Sequence, residues 1–508
     1  MGTLNQLSIG LFDPGMTHIH RIGLAGLYMS LKNLGTSGST FQGMDYKMAM
    51  DHVALTWSGT EPFDKLLNTA FGITQTQPSG LIDFAAHRGL AIGDLQRIEL
   101  TRAVLGSYLQ HNKQNKIPKG TATRSLSLPL GDDQVFIEYR PLVKPYAHSE
   151  GANWMLKKKG NPKEIVSIKG WLYPGAAERH VALSGTKMEE PPEKCLCLLF
   201  APVASLYYRL SHRRSDGKFD KRRGTAVCFP HITDLESYSR CYGRYLQSPV
   251  ERLSADGLGD AGLSALVALK AGDSLEHLGL IGCTVVTMGT VGWYKQQMTR
   301  TGVAVLEEVR EEVLNHFDLA CRCLPNRVQI TLGDQSKKGR NAEQRYFVVT
   351  SLARGLIAEN IAAGREWFRG FAQLMCSKEQ ARIISFEKGG LKEMVDKTPW
   401  PHEADKHFVE AIHAAVGNRY GALAAQAKNR GEAIPFDREF ERMRTGLMRA
   451  KNAQSLRAEL ADLFARGGLN KILQKQWPQL LPLFTGSDWQ RSRDLALLGL
   501  ASYEGKGA

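Results

Sequence analysis

The sequence lacks any apolar stretch long enough to span a bilayer, and its N-terminus does not begin a signal peptide. Cysteine is also sparse, with 8 in 508 residues and no dense framework, which indicates reduced thiols. Cys195-x-Cys197 and Cys321-x-Cys323 lack the two-residue gap of zinc knuckles, so buried thiols are favoured over a zinc site. We therefore expect a cytoplasmic protein with no membrane partner.

Motifs of the common enzyme classes are missing or incomplete. There is no Walker A loop, and there is no Ser-His-Asp or paired-carboxylate motif. Residues 257–262 match G-x-G-x-x-G but follow a polar segment rather than a strand. His402-Glu403 and His407 resemble a zinc-protease signature, but the second histidine comes one residue too late to share a helical face with the first. These gaps predict a binding protein that is not an enzyme and that has no cofactor and no metal.

Acidic residues are fewer than basic ones, and this imbalance indicates the kind of partner. The chain has 51 Asp and Glu against 65 Lys and Arg, a net charge of +14. An excess of this size favours an anionic partner, which is nucleic acid or an acidic protein once a membrane is set aside. The length exceeds that at which a single core stops growing, so two or three domains are expected.

The first part of the chain mixes predicted strands and helices. Leu7–Phe12 is typical of a strand, and the apolar spacing over Thr17–Leu34 predicts a helix. Gly23 and Gly26 lie on this helix and predict close packing against a neighbour. Residues 125–139 predict a β-hairpin turned through Gly-Asp-Asp.

Almost all predicted elements further downstream are helical. Arg345–Met375 carries apolar residues on one helical face, Ala404–Arg430 predicts a long alanine-rich helix, and Asp437–Arg466 predicts another. Together these segments predict an antiparallel helical bundle. The predicted fold is α+β: a mixed α/β domain over residues 1–340 followed by an all-α C-terminal bundle over residues 341–508.

The most informative stretch runs from Val285 to Thr301. Its apolar, β-branched opening predicts a strand, which Gly289 and Gly292 are expected to interrupt. Residue types follow that stack on bases, read base edges or neutralise phosphate. These candidate motif-reading residues are Trp293, Tyr294, Lys295, Gln296, Gln297 and Arg300. The alternative is an ordinary polar loop with a half-buried tryptophan.

Further basic stretches predict contacts with a nucleic-acid backbone. The candidate residues are Lys113, Lys116, Lys119, Arg124, Lys157, Lys158, Lys159, Arg213, Arg214, Lys218, Lys221, Arg222, Arg223, Lys337, Lys338 and Arg340. Such stretches are either solvated tips or phosphate-gripping segments. In the helical part, Arg438, Arg442 and Arg449 share one predicted helical face, which is either solvated surface or a track for a displaced single strand.

The sequence resembles the large subunit of type I CRISPR Cascade complexes in three stretches. They are L-F-D-P-G-M-T-H-I-H-R-I-G-L-A-G-L-Y-M-S-L near the start, W-Y-K-Q-Q-M-T-R-T in the middle and S-R-D-L-A-L-L-G-L-A-S-Y at the end. The likeness is greatest to the myxobacterial-subtype group, which is also found with type I-B systems.

The resemblance implies a non-catalytic subunit that reads the protospacer-adjacent motif and helps to open target DNA. It also implies a C-terminal bundle that lies along the R-loop and is similar to the small subunit of the complex. The implied partners are crRNA, target double-stranded DNA and the backbone, handle-capping, crRNA-processing and small subunits, with either a helicase-nuclease or transposition proteins recruited. No family pattern fixes the roles of individual residues, so those roles rest on side-chain chemistry. The competing classes are a metal-dependent nuclease and a structural adaptor that contacts only proteins.

Overall fold

The structure is a computed structural model that describes residues 4–36, 43–108, 123–168, 172–174, 188–210, 224–271, 273–293, 296–332 and 344–505. Its strands are β1 (Leu4–Gly10), β2 (Met44–Met48), β3 (His52–Ser58), β4 (Phe71–Ile73), β5 (Ile82–Phe84), β6 (Arg124–Leu130), β7 (Asp133–Tyr139), β8 (Val166–Ser167), β9 (Glu189–Glu190), β10 (Leu206–Leu210), β11 (Thr225–Ile232), β12 (Ser254–Ala255), β13 (Leu280–Trp293), β14 (Gln296–Leu306), β15 (Arg327–Leu332) and β16 (Gln344–Val349).

Helices alternate with these strands and then replace them. They are α1 (His18–Thr36), α2 (Glu61–Ala70), α3 (Asp94–Ser107), α4 (Ala152–Met155), α5 (Pro192–Ala204), α6 (Leu235–Leu246), α7 (Leu258–Lys270), α8 (Glu311–Cys323), α9 (Leu352–Ala362), α10 (Lys378–Ser385), α11 (Lys388–Lys397), α12 (Glu403–Arg430), α13 (Phe436–Arg449), α14 (Ala453–Gly467), α15 (Lys471–Thr485) and α16 (Trp489–Ala501). The predicted α+β class is confirmed.

The chain divides into two compact units. The first holds the described strands together with helices α1–α7. The second holds residues 312–326 and the chain from Thr350 onwards, and its described secondary structure is helical. The division of functions at residue 340 stays a prediction.

A five-stranded sheet is the centre of the first unit. Its strand order is β12-β10-β11-β13-β14, in which β10 and β12 are parallel and the other neighbours are antiparallel. Helix α1 packs on β11, where His18 stacks on His231 with ring centroids 3.5 Å apart. Helix α7 packs on β13, and its Gly262 lies against Val285. Because side chains alternate along a strand, the two helices cover opposite faces of this sheet.

Helices α1 and α5 approach each other closely through glycine, as the sequence predicts. A β-carbon built on Gly23 would lie 1.8 Å from the carbonyl oxygen of Cys197, and one on Gly26 would lie 2.3 Å from that of Phe200. Both obstacles are backbone atoms of α5, which cannot move aside without shifting the helix. The close contact between these two helices therefore requires glycine at both positions.

Replacing Gly23 with alanine is expected to lower the free energy of unfolding by about 3 kcal/mol, because the added methyl group overpacks the α1–α5 contact. Gly421→Ala on α12 is the matched control. Nothing lies within 4 Å of its built β-carbon, so alanine should stabilise that helix by up to about 1 kcal/mol. Denaturant unfolding of the full chain measures both values. Equal stability of Gly23→Ala and the unchanged protein would contradict the close contact.

Three sequence predictions about element boundaries are wrong. Strand β13 runs through Gly289 and Gly292, because backbone pairing with β14 needs no side chain. The single helix predicted over Arg345–Met375 begins only at Leu352, because the preceding residues pair with β15 as strand β16. The helix predicted over Asp437–Arg466 is two helices, since Asn452 forms a capping box that starts α14.

The helical unit is organised around α12, a 28-residue helix that packs against α14, α15 and α16. Its predicted extent is confirmed. Asp494 of α16 accepts hydrogen bonds from the N–H groups of Gly370 and Ala372, at 2.8 and 3.0 Å. Burial raises the pKa of this Asp494 carboxyl, and the two N–H donors oppose the shift.

Candidate nucleic-acid interface

One end of the five-stranded sheet is marked by a row of paired residues, which we call the Thr225 row. Arg209 pairs with Ser254 on one side and with Thr225 on the other. Thr225 pairs in turn with Met288, and Met288 pairs with Thr301. Strand β11 begins at Thr225, so the central strand of the sheet extends no further in this direction.

Among the described residues, β10 and β12 extend one residue past the Thr225 row, whereas β13 and β14 continue further and form a hairpin arm, residues 289–300. Five residue pairs extend it, from Gly289 with Arg300 to Trp293 with Gln296. At about 3.4 Å per residue, the arm projects roughly 17 Å beyond the row. A two-stranded ribbon of this kind is a form that enters a DNA groove.

The arm carries the predicted motif-reading residues. Trp293 and Gln296 form its last described pair, and Gln297 pairs with Gly292 one step nearer the sheet. Arg300 pairs at the base. The connecting residues Tyr294 and Lys295 lie outside the described residues. The backbone therefore places the described candidates on one two-stranded ribbon. The sequence instead predicts a loop after a strand interrupted by glycines.

Two basic segments are anchored beside this same row. Residues 211–223 connect β10 to β11, and the N–H of Leu210 donates to the carbonyl of Gly224 at 3.0 Å, which closes their ends together. Residues 109–122 follow helix α3. A β-carbon on Gly106 in its last turn would lie 3.9 Å from Oγ1 of Thr225. The described residues next to each segment therefore contact Thr225 or its neighbour Gly224.

A third basic segment, residues 333–343, is anchored on the ribbon of β15 and β16. These strands pair from Arg327 with Val349 to Leu332 with Gln344, the two residues that flank the segment. Tyr346 of the ribbon donates its hydroxyl hydrogen bond to Oε1 of Glu99 on α3 at 2.8 Å. The ribbon is therefore fixed to the helix that leads into residues 109–122.

Most of the net charge of the chain lies in the arm and these three segments. Residues 109–122, 211–223, 289–300 and 333–343 hold 14 Lys and Arg but only 4 Asp and Glu, a net +10 out of +14. Many of the predicted backbone-contacting residues in them lie outside the described residues, namely Lys113, Lys116, Lys119, Arg213, Arg214, Lys218, Lys221, Arg222, Arg223, Lys337, Lys338 and Arg340. Their anchors, however, are described, and those anchors lie in one neighbourhood of the first unit.

Arg124 and the lysine turn, residues 157–159, are the remaining basic candidates of the first unit. Arg124 begins β6, pairs with Tyr139 and donates through Nη1 to the hydroxyl of Ser79.

Lys157, Lys158 and Lys159 are exposed on a turn that ends at Gly160. The carbonyl of Gly160 accepts a hydrogen bond from Nε1 of Trp57 at 3.1 Å, so this basic turn is held to β3 and not to the Thr225 row.

The predicted arginine track on α13 is only partly available for a ligand. Arg438 and Arg449 are exposed. Arg442 instead donates to Glu439 and to Asp462 of α14, both at 2.8 Å. The Arg442 guanidinium helps to hold the pKa of the Asp462 carboxyl below its usual value, as expected for a paired carboxylate. The sequence could place the three arginines on one helix but could not reveal this pairing.

The described residues contain neither a metal-binding cluster nor a membrane-spanning helix. In those ranges, no group of three or more His, Cys, Asp and Glu side chains is arranged to hold a metal ion. None of the helices in the described part of the chain is both long and apolar enough to cross a bilayer. Cys195 and Cys197 lie buried on α5, and burial raises the pKa of both thiols.

Sequence reasoning missed one feature of this region, a cavity beside the Thr225 row. Arg102 of α3, Tyr245 of α6 and Tyr346 of β16 line it together with Arg209 and Thr225. These residues come from separate stretches of the chain and share no motif. No sequence signal could have identified them, because only the fold brings them together.

Comparison with known proteins shows that the chain belongs to the DevT-domain family of CRISPR-associated large subunits. The DevT N-terminal domain matches residues 8–199, and the DevT C-terminal domain matches residues 396–508. A curated relative is the CRISPR-associated protein Cas8a1/Csx13 of Myxococcus xanthus, which is 28% identical over 529 aligned residues. The alignment covers 99% of this chain and 89% of the relative. The family predicted from three sequence stretches is confirmed. The similarity also supports a Cascade-type role.

Proposed function

We propose that this chain is the non-catalytic large subunit of a crRNA-guided type I Cascade complex. In this role it recognises the protospacer-adjacent motif in target double-stranded DNA and stabilises the R-loop. Guide pairing would supply the remaining sequence specificity, as in other RNA-guided systems. The proposed partners are crRNA, target DNA and the other Cascade subunits.

The observation that carries the proposal is the convergence of charge and shape at the Thr225 row. A net +10 is concentrated in four segments whose described anchors adjoin this row or the α3 helix beside it. Basic segments that share one anchoring region supply the salt-dependent attraction to phosphates, whereas a projecting ribbon can reach base edges. A solvated surface would not require both features in the same place.

Roles follow from the chemistry of the side chains. Gln296, Gln297, Lys295 and Arg300 read or flank the motif, with Trp293 or Tyr294 supporting the arm or wedging a base step. The basic segments and the lysine turn grip DNA or crRNA backbone. In the helical unit Arg438 and Arg449 guide the displaced strand, and Arg442 stays bound to Glu439 and Asp462.

Changing Gln296 and Gln297 together to alanine is expected to cost about 1–3 kcal/mol for each lost base contact and to relax the motif preference. The measurement is binding of the assembled complex to a library of target duplexes randomised beside the guide-matched sequence. Gln75→Ala, an exposed glutamine just after β4, is the matched control and should leave the preference unchanged. An equal loss across all flanking sequences would mean that the arm does not read bases.

The same purified chain and complex also test the two competing functions. A metal-dependent nuclease would cut DNA as the isolated chain when a divalent metal is added. A structural adaptor would bind its protein partners and no nucleic acid. The proposal predicts that the isolated chain does not cut DNA. It also predicts that the complex of the chain with its protein partners contains nucleic acid.

A further inference from the structure

The cavity beside the Thr225 row has a volume of about 450 Å³ and lies within the first unit. Small-molecule sites typically occupy roughly 300–1,000 Å³, so this cavity is large enough for one nucleotide. Its walls come from α3, β10, the start of β11, α6 and β16. Leu246, Val250, Leu253 and Val348 contribute apolar surface.

Three tyrosines of the cavity wall are held rigidly. The backbone N–H of Tyr207 donates to the hydroxyl of Tyr245 at 2.7 Å, and this hydroxyl donates back to the Tyr207 carbonyl at 2.9 Å. The Tyr207 hydroxyl donates to the carbonyl of Pro202 at 2.8 Å, and that of Tyr346 donates to Glu99. Tyr207 and Tyr245 are only 3% and 2% exposed, so they form a rigid floor of the cavity, whereas the half-buried Tyr346 offers its aromatic ring to a ligand. Such a wall is suited to a flat, unsaturated ring.

The cavity also carries positive charge that its own acid does not neutralise. Glu99 accepts hydrogen bonds from Nη1 of Arg102 at 2.6 Å and from Tyr346. Arg209 is half-buried in the wall and has no ion-pair partner within the part of the chain that the structure describes. Arg102, 43% exposed, marks the solvent side. A guanidinium held beside aromatic rings fits a phosphate joined to a base.

The surroundings indicate where such a ligand would come from. Gly224, the anchor of residues 211–223, lines the cavity, as does Thr225 at the base of the hairpin arm. A strand bound near these anchors would lie close to the cavity, because Gly224 and Thr225 line it. Its unpaired bases could leave the strand and enter an aromatic pocket, as in proteins that bind extruded or single-stranded bases.

We propose that this cavity holds one unpaired nucleotide of a bound nucleic-acid strand, with its base against the ring of Tyr346 and its phosphate on Arg209. The proposal rests on the proposed function, because it takes the strand to be one that the subunit already binds. It adds a site for a single nucleotide that is separate from the motif-reading arm.

The test is photo-crosslinking of the full chain with single-stranded DNA and RNA oligonucleotides that contain 5-iodouracil. The expected result is crosslinks in peptides that contain Tyr346. Arg209→Gln should lower single-strand affinity about tenfold, the effect of one lost charged hydrogen bond. Arg240→Gln on α6, whose side chain donates to Ser237 outside the cavity, is the matched control and should change affinity less than twofold.

Variants at Tyr346 separate a stacking role from a structural one. Tyr346→Phe keeps the aromatic ring and should keep the crosslinks at residue 346. Tyr346→Leu should lose them. The unfolding midpoint of each variant shows whether it is still folded. Uridine monophosphate as competitor distinguishes the sources: no competition is expected if the cavity takes a nucleotide only as part of a strand. Competition at micromolar concentration would assign the site to free nucleotides and overturn the strand proposal.

Two further outcomes would overturn the proposal and are distinguishable. If the complex binds target DNA but crosslinks fall outside the cavity peptides, or Arg209→Gln binds single strands like Arg240→Gln, only the cavity assignment fails. If the full chain and its complex bind no nucleic acid at all, the proposed function fails with it.

Discussion

Replacing Arg213, Arg214, Arg222 and Arg223 with glutamine should weaken target binding by the assembled complex to the same extent for every flanking sequence. Each phosphate contact contributes about 0.9 to the slope of log affinity against log salt concentration. Four lost contacts should therefore reduce the slope by about 3 to 4. Motif preference should survive, because phosphate contacts position the strand and carry no sequence information.

The physical basis is the anchoring of residues 211–223. Their two ends meet at Leu210 and Gly224, beside the pair of Thr225 with Met288 from which the arm projects. The matched control removes four exposed basic residues of the helical unit to which no role is assigned: Arg365, Lys378, Arg382 and Arg457. Both variants change the net charge equally. If both lower the salt slope alike, or neither does, the segment is solvated surface and not a phosphate contact.

Replacing Arg491 with methionine should lower the free energy of unfolding by about 3–5 kcal/mol, because it leaves a buried carboxylate unpaired. Arg491 donates through Nη1 to Oδ1 of Asp405 at 2.8 Å and through Nη2 to its other oxygen, and Nε donates to Glu366 at 2.8 Å. The Asp405 side chain is only 1% exposed. Denaturant unfolding at neutral pH measures the loss.

The matched control is Arg466→Met, which removes an arginine of the same helical unit whose partner Asp462 is exposed to water. Both side chains of that pair are more than 40% exposed, and loss of the pair should cost less than about 1 kcal/mol. A similar small loss in Arg491→Met would contradict the assignment of Asp405 as a buried charge that depends on Arg491.

The stability loss in Arg491→Met should also depend on pH in a defined direction. Burial raises the pKa of the Asp405 carboxyl in the folded protein, and the Arg491 guanidinium opposes that shift. Removing the arginine should raise this pKa further. A raised folded pKa costs stability only above the unfolded value of about 3.9, so the deficit should be largest near pH 7–8 and shrink towards pH 4. A deficit that grows as the pH falls would contradict this sign.

The fold class could be predicted from local patterns, because the decisive signals are short in range. The helix over residues 404–430 needs only apolar spacing and a terminal glycine, and the helix with Gly23 and Gly26 needs only its own sequence. Boundaries failed where tertiary pairing decides the outcome. Gly289 and Gly292 would break an isolated strand, but the partner β14 holds them in the sheet.

The sequence predicts the individual candidate residues of the interface but not their arrangement in space. The sequence identifies basic stretches and the Trp293–Arg300 segment by composition alone. It does not contain the register that puts Thr225 opposite Met288, or the contact of α3 with Thr225. The cavity was wholly unpredictable, because residues such as Arg102 and Tyr346 meet only after folding.

The measurement that tests the central claim most directly is co-purification of the chain with the RNA and proteins of its native operon, followed by ultraviolet crosslinking and peptide mapping. The account predicts short RNAs of uniform length with a common 5′ handle. It also predicts that crosslinks to RNA and added target DNA concentrate in residues 109–122, 211–223, 289–300 and 333–343. A chain that purifies alone and free of RNA, or crosslinks that avoid these four segments, would contradict it.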